Sequence, residues 1–114
     1  MISLGNRSFS GPYLAPVWTP LRTAGLYAVM VPGWRLLTFH PVHIGHASDL
    51  AYAGLLRGHD HYADWLSLAG TEWNLYVAAC EMAGSSEADR RAACRDLGKM
   101  QQTITLRGPS HAQL

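Results

Sequence analysis

The apolar run "AGLYAVMV" at residues 24–31 constrains the fold more than any other stretch of this chain. It is continuous, contains Val and Tyr, and is bounded by a Pro-Gly pair, which is typical of a short strand buried on both faces. A second, shorter candidate is "VHIG" at residues 42–45, and residues 33–41 between them form a connector or one arm of a loose hairpin. We therefore expect two antiparallel strands at the centre of a sheet.

Two helices are predicted between these strands and the next one. Ser48 is a good N-cap for a helix over residues 49–57 that Gly58 would end. A second short helix is expected over residues 61–69, closed by Gly70. The apolar, β-rich stretch that follows at residues 74–82 predicts a third strand.

The last predicted element is a helix that begins after Ser85. Ser86 and Asp89 have the spacing of a capping box. An apolar stripe at helical spacing follows them, formed by Ala93, Leu97, Met100 and Ile104.

The predicted order is β, β, α, α, β, α, which indicates an α+β fold with a small antiparallel three-stranded sheet flanked by helices. We expect a single domain over residues 23–104, because 114 residues support one core but not two. The Pro-, Gly- and Ser-rich residues 1–22 predict an irregular N-terminal arm, and residues 105–114 a flexible tail.

Composition excludes several classes of protein. The chain has neither an 18-residue apolar run nor a signal-peptide pattern, so we expect a cytoplasmic protein without a membrane span. Cys80 and Cys94 are too few for a disulfide scaffold and are predicted to be reduced thiols. A net charge of +1 indicates no general affinity for nucleic acid, although a local basic patch is compatible with it.

The string "TFHPVHIGH" at residues 38–46 resembles a motif of nicotinate-mononucleotide and pantetheine-phosphate adenylyltransferases. That resemblance implies a nucleotide-binding protein in which His43 and His46 meet the triphosphate at a helix N-terminus. Only 68 residues follow His46, which is short for the doubly wound sheet of that family. Two interpretations are open for the histidines at positions 40, 43, 46, 59 and 61. Their imidazoles either face solvent or cluster as the ligands of a metal site.

A second resemblance extends over residues 23–97. Its landmarks occur in a fixed order: "GLYA", "HIG", "SDL", "GHDHYADWL", and "LYVAACEMAGSSEADRR". In this order the chain resembles the GIY-YIG domain, most closely its small stand-alone bacterial members. The resemblance implies a metal-dependent DNA endonuclease, in which two tyrosines activate water, an arginine stabilises the transition state and a glutamate holds Mg²⁺ or Mn²⁺.

Carried onto this chain, the resemblance places Tyr27 at the first tyrosine and His43 at the second. The arginine position falls on Ala53, and Arg57 is the replacement one helical turn later. The metal-ligand position falls on Ala93 or Cys94, neither of which suits a hard cation. We therefore expect a degenerate nuclease site without a certain cofactor, and no metal ligand is assigned.

The resemblance leaves two main functions open. One is a nucleic-acid-binding or accessory protein, with His59, Arg91, Arg95 and Lys99 as the candidate nucleic-acid-binding residues. The other is a divergent endonuclease that uses Tyr27, His43 and Arg57, with Glu72, Glu81 or Asp96 as its carboxylate. A protein partner is an open option, and so is a homodimer. The homodimer is suggested only by the size and the apolar fraction of the chain.

Overall fold

A computed structural model describes residues 2–33 and 38–98 of the chain, together with the backbone of residues 104 and 105. It is an α+β fold, as predicted, with two helices, α1 (Tyr62–Ala69) and α2 (Glu87–Gly98). The strands are β1 (Ile2–Leu4), β2 (Arg7–Leu14), β3 (Gly25–Pro32), β4 (Thr38–Ala47), β5 (Tyr76–Glu81) and the two-residue β6 (Ile104–Thr105).

These strands form one antiparallel sheet in the order β1-β2-β5-β3-β4-β6. Its central strand is β3, which pairs with β4 on one side and β5 on the other. One face of β3 packs with Trp65 and Ala69 of α1, and the other packs with Ala93 and Leu97 of α2. Burial on both faces explains why β3 is a continuous apolar run without polar alternation.

Several predicted elements are confirmed. The three predicted strands correspond to β3, β4 and β5, and the first two are antiparallel. The helix predicted over residues 61–69 is α1, which Gly70 ends at a φ of 89°. The capping box is present, because Ser86 Oγ accepts a hydrogen bond from the Asp89 amide at 3.1 Å. In return, Asp89 Oδ2 accepts a hydrogen bond from the Ser86 amide at 3.3 Å.

The prediction of a three-stranded sheet is wrong, because residues predicted as an irregular arm form β1 and β2. Ile2 lies opposite Phe9 in this hairpin, and Ile2, Leu4 and Phe9 are all buried in the core. A register shift between Ser10 and Tyr13 accommodates the Gly-Pro pair inside β2. Burial of the apolar side chains therefore outweighs the turn-like composition.

Two helix predictions also need correction. Residues 49–57 form a series of turns, in which Asp49 Oδ1 accepts from the Ala51 amide at 2.9 Å. Leu50 and Leu56 are buried and anchor these turns to the core. Helix α2 ends at Gly98, so the predicted stripe does not reach Ile104, which lies in β6, and Met100 lies outside the described residues.

Neither helix in the described part of the chain is long and apolar enough to cross a membrane. Cys80 and Cys94 are half-buried free thiols, in agreement with the prediction.

Candidate functional site

Tyr27 and His43 meet on one face of the sheet. Tyr27 lies opposite Gly45 in the β3–β4 ladder, and Val29 lies opposite His43. Because side chains alternate between the faces of a strand, Tyr27 and His43 are diagonal neighbours on the same face. Their ring centroids are 5.9 Å apart.

Gly45 determines the path of the Tyr27 side chain. A Cβ atom at Gly45 would lie 2.6 Å from both Cζ and Oη of Tyr27. The tyrosine ring therefore crosses β4 directly over the glycine, and its hydroxyl reaches the position that a side chain of β4 would otherwise fill. A residue with a side chain at this position would displace the ring.

Trp65 of α1 supports the imidazoles. Its buried indole packs against His43, with ring centroids 5.1 Å apart, and against His59, with centroids 4.6 Å apart. The two imidazoles also contact each other edge to face at 4.8 Å. Trp65 is therefore a core residue that also packs against both imidazoles.

Helix α2 supplies the opposite wall of a cleft of about 490 Å³. The cleft crosses the edge of β4, so its lining comes from both faces of the sheet. Tyr27, His43, Gly45 and His59 line one side, and Ile44, His46, Arg91, Cys94 and Arg95 line the other. Three of the predicted nucleic-acid-binding residues, His59, Arg91 and Arg95, are therefore brought together with Tyr27 and His43.

The two arginines differ in their partners. Arg91 pairs with Glu87 one turn earlier on α2, and both side chains are largely exposed, so this ion pair contributes little and a ligand can replace it. Arg95 has no ion pair with another described residue. Among the described residues, the Arg95 guanidinium is thus not paired with a carboxylate.

Burial keeps the phenol and the thiol of the cleft neutral. It raises the pKa of Tyr27, and the Cys94 thiol adds to this shift. Burial also raises the pKa of Cys94, although Arg7 opposes the change. Near neutral pH the Tyr27 hydroxyl is therefore a hydrogen-bond donor and not a phenolate.

His43 is also neutral near pH 7. Burial, together with the smaller electrostatic effects of His59 and His61, lowers its pKa to about 4. A neutral imidazole can accept a proton, but a base with so low a pKa is weak. His43 is thus a weak base for the role that the GIY-YIG resemblance would imply for it.

The tautomer of His59 follows from one hydrogen bond. Nδ1 of His59 accepts from the backbone amide of His61 at 3.0 Å, so the ring proton is on Nε2. Nε2 then has no lone pair for a metal ion while this bond is present. His59 is equipped to donate a hydrogen bond to a ligand.

Within the described part of the chain, no group of three or more His, Cys, Asp or Glu side chains is placed to hold a metal ion. The described residues therefore give no support to the alternative of a histidine metal site, which stays a prediction. Glu72, Glu81 and Asp96, the candidate carboxylates of a divergent nuclease, do not line the cleft.

Arg57 does not join Tyr27 and His43. Its guanidinium bonds Glu72 Oε1 at 3.0 Å, and Arg57 is not a lining residue of the cleft. The expected helix that would have oriented it is replaced by turns. Lys99, the fourth predicted nucleic-acid-binding residue, lies outside the described residues.

The histidine string lies inside β4, not before a helix. His43 and His46 are three residues apart in a strand and leave it on opposite faces. Residues 48–60 contain no helix, so the N-terminus that would hold a triphosphate in the adenylyltransferase interpretation is not present there.

The sequence analysis missed Gly45 as the support of Tyr27 and Ile44 as a lining residue. It named His46 and Cys94 only for other sites, namely a triphosphate or histidine metal site and a metal-ligand position. The pairing of a glycine with a tyrosine across two predicted strands was the available signal for Gly45. Comparisons with protein-family models, curated proteins and solved structures give no match for this chain. The function must therefore be inferred from the cleft itself.

Proposed function

We propose that this chain binds nucleic acid through its phosphate backbone, in a cleft that corresponds to the nuclease site of a GIY-YIG-like domain but does not hold the catalytic metal. The central strands β3, β4 and β5 and the pair Tyr27 and His43 support the GIY-YIG resemblance. The expected cytoplasmic location stays a prediction.

One observation carries the proposal. The described residues that line the cleft include two guanidinium groups, three imidazoles, a phenol and a thiol, but no carboxylate. Guanidinium groups bind phosphate by paired, charge-assisted hydrogen bonds. A hard divalent cation needs oxygen ligands, and among the side chains of this lining only the neutral Tyr27 hydroxyl provides one.

The decisive experiment measures binding of a fluorescent oligonucleotide by anisotropy in EDTA, over a range of salt concentrations. We expect Arg95→Ala to weaken binding about tenfold, because it removes one charge-assisted phosphate contact. The slope of log affinity against log salt concentration should become shallower by about 0.7 for a single strand. Arg57→Ala is the charge-matched control and should leave binding unchanged.

The same experiment separates the proposal from the alternatives. Absence of binding by the wild-type chain, or equal losses in the two arginine variants, would exclude the cleft as the phosphate site. A parallel incubation of supercoiled plasmid with Mg²⁺ or Mn²⁺ should leave the plasmid intact. Cleavage that disappears in Tyr27→Phe and His43→Ala would show instead that a divergent endonuclease site is active.

A further inference from the structure

The phosphate cleft continues into a second, apolar pocket. This pocket has a volume of about 110 Å³ and shares His43, Ile44 and Cys94 with the cleft. Its remaining walls come from β1, β4 and α2, in particular Leu4, Pro41 and Leu97. When the anionic group of a ligand occupies the cleft, the part of the ligand next to that group is therefore within reach of the apolar surface of this pocket.

The pocket has the size of one heterocyclic ring. Sites for drug-sized ligands have volumes from about 300 Å³ upward, so this pocket is too small for a second large group. It also borders β4, next to the described pairing of β6 with Thr38 and Phe39.

We propose that the cleft and the pocket together bind one nucleotide unit, with its phosphate at Arg91 and Arg95 and its base in the apolar pocket. This inference rests on the proposed function and adds a requirement for an unpaired base. In a duplex the base is stacked and paired, so it can enter a pocket only after extrusion. Recognition of splayed bases by small pockets is typical of single-strand binding.

The test compares three ligands of equal strand length in EDTA by fluorescence anisotropy: a single strand, the same strand with abasic internal positions, and the same strand annealed to its complement as a blunt-ended duplex. We expect the single strand to bind about tenfold more tightly than either of the others, as one accommodated base would provide. The abasic strand keeps the phosphates, so it isolates the contribution of the base.

Gly98 is a lining residue of the pocket, and a leucine side chain there should narrow the pocket without a change to either arginine. A Cβ atom at this exposed position meets no atom of the described residues within 4 Å, so a larger side chain can be accommodated. Gly98→Leu should lower affinity for the intact strand to that for the abasic strand and leave abasic binding unchanged. Gly98→Ala is the matched control and should retain the preference for the intact strand.

The outcomes separate this inference from the function on which it rests. Equal affinity for the intact, abasic and duplex ligands, or an unchanged preference in Gly98→Leu, would overturn the base pocket and leave phosphate binding standing. Absence of binding to every ligand would overturn both. In a last assay, nucleoside 5′-monophosphates compete with the oligonucleotide at its half-saturating concentration. Competition by an equal concentration of monophosphate would identify free nucleotides as the source of the unit. A requirement for about a hundredfold excess of monophosphate would identify a strand.

Discussion

At the scale of single residues, Gly45 is the position where the smallest change should have the largest effect on the cleft. The Cβ atom of Gly45→Ala would lie 2.6 Å from the Tyr27 ring, so the ring or β4 must move. We expect the free energy of unfolding to fall by about 1–3 kcal/mol, which is typical of overpacking. Urea unfolding of the purified variant measures this.

A second background tests the cause of that loss. In Tyr27→Leu the side chain is too short to cross the glycine, so Gly45→Ala should then cost much less than in the wild type. Equal costs in both backgrounds would mean that the tyrosine is not what requires a glycine at this position.

His43 should make the stability of the protein depend on pH. Its pKa is about 4 in the folded chain and about 6.5 when exposed, so the unfolded state binds the proton more tightly. Stability is therefore complete above about pH 6.5 and decreases as the pH falls toward 4. Between pH 7 and pH 5 we expect a loss of about 2 kcal/mol from this group.

Urea unfolding at the two pH values, compared between wild type and two variants, measures this contribution. His43→Gln should remove most of the difference, whereas His40→Gln, at an exposed position on the same strand, should retain it. A pH dependence that survives His43→Gln would assign it to other groups.

Local patterns predicted that the segments of Tyr27 and His43 are two antiparallel strands, but that the two side chains meet was implied only by the GIY-YIG resemblance. The sequence could not place Arg57, since its orientation was inferred from a helix that does not form. Arg91 and Arg95 were predicted as nucleic-acid-binding residues. That they line a cleft with Tyr27 depends on how α2 packs across the edge of β4, which no local pattern contains.

At the scale of elements, the capping box of α2 fixes the start of the helix that carries both arginines. Ser86→Ala removes the acceptor for the Asp89 amide and should lower the free energy of unfolding by about 1 kcal/mol. Ser86→Asp preserves an acceptor and should cost clearly less. Urea unfolding of the two variants measures the difference, and equal losses would show that the side-chain acceptor is not the stabilising feature.

The segment over residues 49–57 shows why the predicted helix is absent. Its N-cap pattern and its final glycine are both present, but Leu50 and Leu56 are the residues that the core buries. Their separation of six residues does not match the three- or four-residue spacing of one helical face. Burial of Leu50 and Leu56 in the core therefore outweighs a capping pattern that favours a helix in isolation.

At the scale of the whole molecule, the N-terminal strands turn a small sheet into one that wraps the core. The hairpin signal was present in the sequence, because Gly5 and Asn6 connect β1 to β2 and Gly5 has a φ of 61°. The Gly-Pro pair within β2 obscured this hairpin pattern, because a proline within a strand-like run normally argues against a strand. Long-range pairing with β5 determined the outcome.

Phe9 tests whether residues 2–14 are part of the folding unit. Its side chain is fully buried between the N-terminal hairpin and the central strands, so Phe9→Ala should lower the free energy of unfolding by about 3–5 kcal/mol. Phe9→Leu provides a milder change, and Val17→Ala, at an exposed position, should have little effect. Urea unfolding should show one transition in each folded variant. The urea concentration at its midpoint should be lower in Phe9→Leu than in the wild type, and lower still in Phe9→Ala. A loss below about 1 kcal/mol in Phe9→Ala, or a separate early transition for the hairpin, would mean that the first two strands lie on a core that is complete without them.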